Sequence, residues 1–483
     1  VNPAATNRTP SNPWITVLLA ALAGGLGWGI RGQYGHETGA MMPGLLVGLV
    51  LVLRLASHLP PLAATRAVAF GTVAMGFGGS ETYGQTLGLT HDAPLLGNWD
   101  ALRWGFLGLA IKGGIWIGFA GLFLGMGLGG VRYRPREIVV LMSALPLLQW
   151  IGMQVLNEPF DPANRVLPRV YFSDSWFWEP EAVLKPRREY WGGLLLALVG
   201  AWLWAGWRRS DGLARRLMPW GFLGGAVGFP AGQCLQAWHA WNPEVFNQGF
   251  WLRLAPYMNW WNWMETTFGF VMAAILALGL LFHRHRIVAP ASAPVAPAPW
   301  VELSLLGLHL TLLLLEEFGS IPFFNALYDP GFLLGWIPMV AVACGRFWPA
   351  WVLFPVTLVP IAGKTFQNLV LQEKALGVVP GAVLFLILPL LLAGGMTVGW
   401  IRRQSDPGAT PTRLRRALLI LAWLYFGLNF AFFRYPWPWT DWTPRTPNAL
   451  FYLVAVLGIT VGVFLGNGFY PVRKQEASNC GNR

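Results

Sequence analysis

The stretch GWGIRGQYGHETGAM (27–41) places a guanidinium, a carboxamide, an imidazole and a carboxylate close together between two long apolar runs: Arg31, Gln33, His36 and Glu37. An arginine can hold a carboxylate or phosphate through two parallel hydrogen bonds. A histidine beside a glutamate can bind a cation or pass a proton. The interleaved glycines let the backbone unwind or approach a ligand closely, and irregular backbone at membrane depth is tolerated where protein or a watery cavity satisfies it. Two readings of Arg31 stand side by side: it holds a ligand, or it pairs with Glu37 or Glu81 and locks helix ends together. Glu81, Tyr83, Glu265 and Lys364 occur at comparable positions near the ends of other apolar runs and complete the candidate binding set. His91, Asp92, Asn157, Glu158, Gln233, Glu317, Gln367 and Asn368 fall at the same side of the chain's alternating pattern.

Lys112, in GLAIKGGIWIGF, falls near the middle of an apolar run. An ammonium there costs several kcal/mol unless it is paired or hydrated, so a carboxylate partner or a hydrated cavity is expected. WVELSLLGLHLTLLLLEEFG repeats ionisable groups every seven residues: Glu302, His309 and Glu316. Two helical turns return each to one face, roughly 10 Å from the last. That is too far for direct proton transfer, although waters or another helix can bridge it. Lys112, His309 and Glu316 are therefore the candidates for coupling, against the plainer reading of a structural Lys–Glu pair and interfacial glutamates.

No nucleotide-binding loop, zinc-protease helix, nucleophile elbow, haem site or zinc spacing occurs, so neither a metal or cofactor nor an ATP-driven engine within this chain is expected. Cys234, Cys344 and Cys480 lie far apart and offer no disulfide framework. The 28 tryptophans crowd the ends of apolar runs, as in WFWEP, AWHAWNPE, MNWWNWMETTFG and YPWPWTDW. Trp belts form at membrane interfaces, and the same flat faces stack on sugars or quaternary cations.

The elements that must position these groups follow from composition. The chain is 55% hydrophobic and 12% charged, with mean hydropathy +0.47, whereas soluble domains average roughly 25% charged residues. Apolar runs near 20 residues read as transmembrane helices. The pattern predicts an all-α polytopic membrane bundle of about fourteen helices: 14–31, 39–57, 62–82, 101–129, 138–156, 190–207, 217–241, 260–282, 300–318, 332–346, 349–367, 379–401, 414–433 and 448–467. Thirteen spans remain open if the first helix re-enters. No cleavable leader is expected, and Val1 reads as a non-Met start or a fragment.

Lys and Arg concentrate in cytoplasmic loops. With both termini and the even connections inside, the inner side holds 21 basic and five acidic residues and the outer side 12 basic and 17 acidic, with Lys112 between. The net charge of +12 is thus a topology signal, and no nucleic acid is expected as a partner. The Ala/Pro-rich linker 287–299 divides an eight-helix part (1–286, with the outer loop 157–189) from a six-helix part (300–470) and a cytoplasmic tail (471–483). YGHETG (34–39) and YGQTLG (83–88) form a weak repeat, with GGAVGFPAGQ (224–233) a looser third copy. Gly-interrupted repeats point to transporter sites, and equally to close helix packing.

Together these features read as a multi-pass protein of a bacterial cytoplasmic membrane with a polar vestibule on the outer side. A secondary transporter for a small molecule is the first expectation. The alternative is a membrane-embedded enzyme acting at the outer face on a lipid-linked or sugar-containing substrate, with His36, Glu37, Glu81 or Glu265 as acid or base. The lipid bilayer is the one partner expected; substrate and oligomeric state stay open.

Overall fold

The computed structural model describes residues 12–32, 34, 37–78, 84–156, 191–290, 297–319, 321–323, 332–402, 407–433 and 441–464. The loop 157–189, the tail 471–483, Gln33, His36, Glu81, Tyr83 and the side chain of Glu37 lie outside the described residues. Helices follow one another along the chain: α1 (Pro13–Arg31), α2 (Glu37–Leu55), α3 (Pro61–Phe77), α4 (Gly84–His91), α5 (Trp99–Leu128), α6 (Pro135–Leu156), α7 (Trp191–Leu203), α8 (Gly212–Trp241), α9 (Pro243–Phe246), α10 (Gly249–Leu254) and α11 (Trp260–Phe282). After the linker come α12 (Pro299–Gly319) and α13 (Phe332–Cys344). They are followed by α14 (Trp348–Gln372), α15 (Val378–Arg402), α16 (Thr410–Phe432) and α17 (Thr446–Phe464). Among the described residues there is no strand; one isolated bridge joins Gly129 to Val288.

Every one of the fourteen expected stretches is helical over most of its described length. Nine described helices are long and apolar enough to cross a membrane, and Pro61–Phe77 and Leu334–Cys344 are apolar but shorter. Among the most apolar segments are α15 and α11, although α11 carries Asn262 and Glu265 in its first turns. In α8, by contrast, Arg215, Arg216, Gln233, Gln236 and His239 dilute the apolar run, and in α12 three glutamates do so. The connection expected over 83–100 contains α4, because Leu87, Leu89, Thr86 and Thr90 are buried and press on Gly105 and Gly108 of α5. The helix expected over 62–82 stops at Phe77. The run expected over 349–367 continues to Gln372 through two wide π-helical stretches, Val352–Val356 and Gln367–Gln372. Pro355, which has no backbone N–H to give, lies in the first of them.

The centre of the bundle is α1, α2, α3, α5, α8 and α11. Glycine sets its spacing. A Cβ on Gly225 would fall on the carbonyl of Gly113, and one on Gly24 would fall on that of Gly269. Small residues let membrane helices meet backbone to backbone, where dispersion contacts and not water exclusion hold them. α2 is buried along its whole apolar window, whereas only 22% of the α15 window is covered. Large apolar side chains stand exposed on α6, α15 and α17, including Val140, Trp150, Leu391 and Val454, as a lipid-facing surface requires.

The basic connections meet at one end. Arg66 donates to the carbonyls of Val342 (2.9 Å) and Gly345 (3.1 Å). Arg209 reaches the carbonyl of Arg132 (2.7 Å) and the carboxylate of Glu137 (3.1 Å). Thr410 donates to Leu59 (3.2 Å), and the N–H of Val288 to Leu128 (3.0 Å). Asp211 caps α8 there, accepting from the N–H groups of Leu213 (3.1 Å) and Ala214 (2.9 Å) and from the Tyr133 hydroxyl (2.8 Å). Burial pushes the Asp211 carboxyl above its ordinary range, partly offset by these hydrogen bonds. The Tyr133 phenol is also pushed up, by burial first and then by the neighbouring carboxylate. Arg31, Lys364 and Arg445 lie at the opposite ends of their helices.

Candidate functional site

α1 closes on Arg31, and α2 opens six residues later. The glycines before the break are contact points. Gly27 lies on Pro43, and Gly29 has no room for a Cβ beside the hydroxyls of Thr266 and Tyr452. A Cβ on Gly32 would stand 2.7 Å from Oε2 of Glu265. The backbone thereby brings the end of α1 against the first turns of α11. Arg31 Nη1 donates to Glu265 Oε1 at 3.0 Å, with the two side chains 3% and 2% exposed. The guanidinium carbon lies 5.2 Å from the rings of both Trp28 and Trp116. Glu265 Oε2 accepts from Asn262 Nδ2 at 3.1 Å, and the Trp261 side chain also hydrogen-bonds this carboxylate. The carbonyl of the Asn262 side chain in turn accepts from Arg445, whose guanidinium covers the Phe433 ring at 4.0 Å.

One turn along α17 from Arg445, Asn448 is fully buried, and neither end of its carboxamide has a hydrogen-bond partner among the described residues. Buried polar groups are nearly always satisfied by protein, water or ligand. Arg445, Asn448 and Tyr452 follow at helical spacing, so α17 presents one polar face to α1 and α11.

Tyr34, within the same break, is gripped from the six-helix part. Its hydroxyl bonds Thr365 Oγ1 (3.1 Å), and its carbonyl accepts from Lys364 Nζ (2.9 Å) and Thr38 Oγ1 (3.0 Å). Lys364 pairs with Glu317, which also lies 2.6 Å from the Thr38 hydroxyl. The adjacent Glu316 is half-buried. The break between α1 and α2 is therefore the place where side chains from α11, α12, α14 and α17 converge.

A third polar group adjoins it. His91 Nδ1 lies 2.8 Å from the carbonyl of Leu87, which makes Nδ1 the donor and leaves Nε2 to accept from Gln236 Nε2 at 3.2 Å. Gln233 Nε2 donates to Thr90 at 2.7 Å. The amide oxygens of both glutamines are buried without a partner among the described residues. The Trp261 ring, 6.5 Å from His91, stands between this group and Glu265.

Of the coupling candidates, Glu316 adjoins the break beside Glu317, whereas Lys112 and His309 sit apart. Lys112 is 8% exposed, and its ammonium lies over the Trp191 ring at 4.0 Å. Gly78 and Thr86 sit against Trp116 and Gly108, one turn to either side of Lys112. Glu302 accepts from the N–H groups of Arg346 (3.0 Å), Phe347 (2.9 Å) and Trp348 (3.2 Å), so it caps the start of α14. His309 is buried at 5.9 Å from the Trp348 ring, with Nε2 unpartnered among the described residues.

Of the sequence-derived binding residues, Arg31 and Glu265 meet directly, and Lys364 joins them through Tyr34. Asn262, Arg445, Asn448, Thr38, Glu317 and Gln236 were not in that set. The spacings Asn262–Glu265 and Arg445–Asn448–Tyr452 carry the signal that was available: polar residues recurring every three or four positions. The chain matches no family model, no curated protein and no solved structure, so its function rests on this geometry.

Proposed function

We propose that the protein is a secondary-transporter-like membrane protein whose vestibule lies around the α1–α2 break and takes a small polar solute bearing a carboxylate or phosphate. The observation that carries this reading is the buried Arg31–Glu265 pair, linked through Asn262 to Arg445 beside the unsatisfied amide of Asn448. Glu265 occupies the Arg31 fork as an anionic solute would, and a fork that fits carboxylate fits phosphate as well. Solute entering the fork displaces Glu265; its departure restores the pair. That exchange supplies two states of similar energy, which alternating access requires. The basic end faces the cytoplasm in this reading, following the Arg excess.

The test is uptake of organic and phosphorylated anions into proteoliposomes. Glu265→Gln should alter solute affinity with protein recovered in monodisperse form, and Arg31→Met should abolish flux. Cysteine labelling of a Cys-free background should place 157–189 outside and 287–299 inside. If no solute crosses while a lipid-linked sugar is turned over at the outer face, the enzyme reading replaces this one.

A further inference from the structure

α1 and α11 touch where Gly24 meets Gly269 and leave a gap between them toward the basic end. A cavity of about 530 Å³ opens between the first turn of α1 and the last turn of α11. Trp14, Val17, Leu281 and Phe282 form its walls, and Arg284 and His285 its rim. No acidic side chain is among its lining residues. Trp14 and Phe282 are 66% and 64% exposed, so the cleft is continuous with the apolar outer surface of the bundle. Arg216 and Arg286 add positive charge nearby. The neighbouring acid Asp211 is fully buried and committed to Tyr133 and the start of α8.

We propose that this cleft holds an anionic phospholipid, its acyl chain between Trp14, Val17 and Phe282 and its phosphate on Arg284 and His285. A free anion would use the rim but not the walls, and a neutral lipid the walls but not the rim. An apolar slot ending in a guanidinium and an imidazole at the interfacial end of two membrane helices matches both parts of one molecule. The site is independent of what the opposite end binds.

The experiment is native mass spectrometry of the full chain in detergent, titrated with phosphatidylglycerol, with phosphatidylcholine of the same chains, and with glycerol phosphate as the free headgroup. Phosphatidylglycerol should be retained preferentially. Arg284→Ala with His285→Ala should weaken it by at least about fivefold, the loss for one arginine charge. Val17→Trp, which fills the cleft and leaves the charges, should weaken it comparably. Arg134→Ala with Arg136→Ala, in another basic cluster, should leave it unchanged. Equal retention of phosphatidylcholine, competition by glycerol phosphate at equal concentration, undiminished retention by Val17→Trp, or an equal loss in the Arg134/Arg136 variant would each overturn the proposal. The Arg284 and His285 side chains are exposed, so their removal leaves the core intact.

Discussion

Gly113 and Gly225 bring α5 and α8 together backbone to backbone, whereas Gly394, Gly395 and Gly399 on α15 have open space where a Cβ would stand. The first pair belongs to the dense centre formed by helices before residue 287; the second group belongs to the largely exposed α15. The same residue type marks contact in one region and its absence in the other. Gly content alone therefore does not locate a packing interface. What separates the regions is the neighbour: α8 has small residues facing α5, while α15 presents Leu384, Ile387 and Leu391 outward.

The largest effect should come from filling the tight contact. Gly225→Leu has no rotamer that avoids the Gly113 carbonyl, and α5 and α8 are both anchored elsewhere. Overpacking costs typically 1–3 kcal/mol where side chains can shift, and backbone cannot. Gly225→Leu should give no monodisperse protein in detergent, and Gly225→Ala a clearly lowered melting temperature. Normal melting of Gly225→Leu would show that the α5–α8 contact is not close-packed.

Next is the charge pair at the α1–α2 break. Removing one member of a buried pair leaves the other uncompensated, at roughly 3–5 kcal/mol, so Arg31→Met should destabilise strongly and Glu265→Gln less, since Gln keeps an acceptor for Asn262. Lys364→Met should cost less than Arg31→Met, because the Lys364 side chain is 21% exposed and water screens what remains. Thermal melts of the three variants rank the two regions' polar contacts. Equal losses would mean that the six-helix part is held as firmly at the break as α1 and α11 are.

Lys112 is tested through its aromatic neighbour. A desolvated ammonium over a Trp face is worth about 2 kcal/mol. Trp191→Leu should lower stability by that order, and the loss should shrink in a Lys112→Met background. Additive losses in the double-mutant cycle would remove the cation–π contact as the reason Lys112 is tolerated at that depth.

Much of this architecture is legible in the amino-acid order because lipid leaves few options: an apolar run of twenty residues bounded by Arg must be a helix. α4 was hidden since eight residues are too few for hydropathy, and its burial depends on Gly105 and Gly108 of the next helix, α5. Arg31 and Glu265 stood out as charges beside apolar runs, yet their pairing across 234 positions follows from Gly32 leaving room, which only packing reveals. Asn262, Asn448 and Gln236 are neutral and raise no alarm in a hydropathy profile. Glu302 was read with His309 and Glu316 as a periodic stripe; its N–H contacts show that equal spacing along one helix does not imply one task.

At the basic end, Asp211 gives a pH-dependent term. Its carboxyl is held above the ordinary value by burial. A raised folded-state value contributes stability that is present below the unfolded carboxyl pKa, about 4, and is lost as pH rises through the folded value. Asp211→Asn keeps an acceptor for the Leu213 and Ala214 N–H groups without the charge. The stability of the variant relative to the parent should rise with pH above about 4 and then level off. A difference independent of pH would mean that the carboxyl titrates alike in the folded and unfolded chain.

The smallest effect returns to α15. Gly in a helix interior is roughly 0.5–1 kcal/mol worse than Ala, because the unfolded chain loses more freedom on folding. Where a Cβ meets nothing, Ala should recover that amount, so Gly394→Ala should raise the melting temperature slightly, opposite in sign to Gly225→Ala. Gly394, Gly395 and Gly399 have no described neighbour within 4 Å, so each single Gly→Ala change should act alike and the three should add. If Gly394→Ala instead lowers stability, the α15 face is covered by something beyond the described residues of one chain. A loss that deepens with protein concentration would then identify the cover as a second copy, while a concentration-independent loss would point to the chain's own remaining segments. Either result would erase the contrast between the two regions, since glycine would mark contact in both.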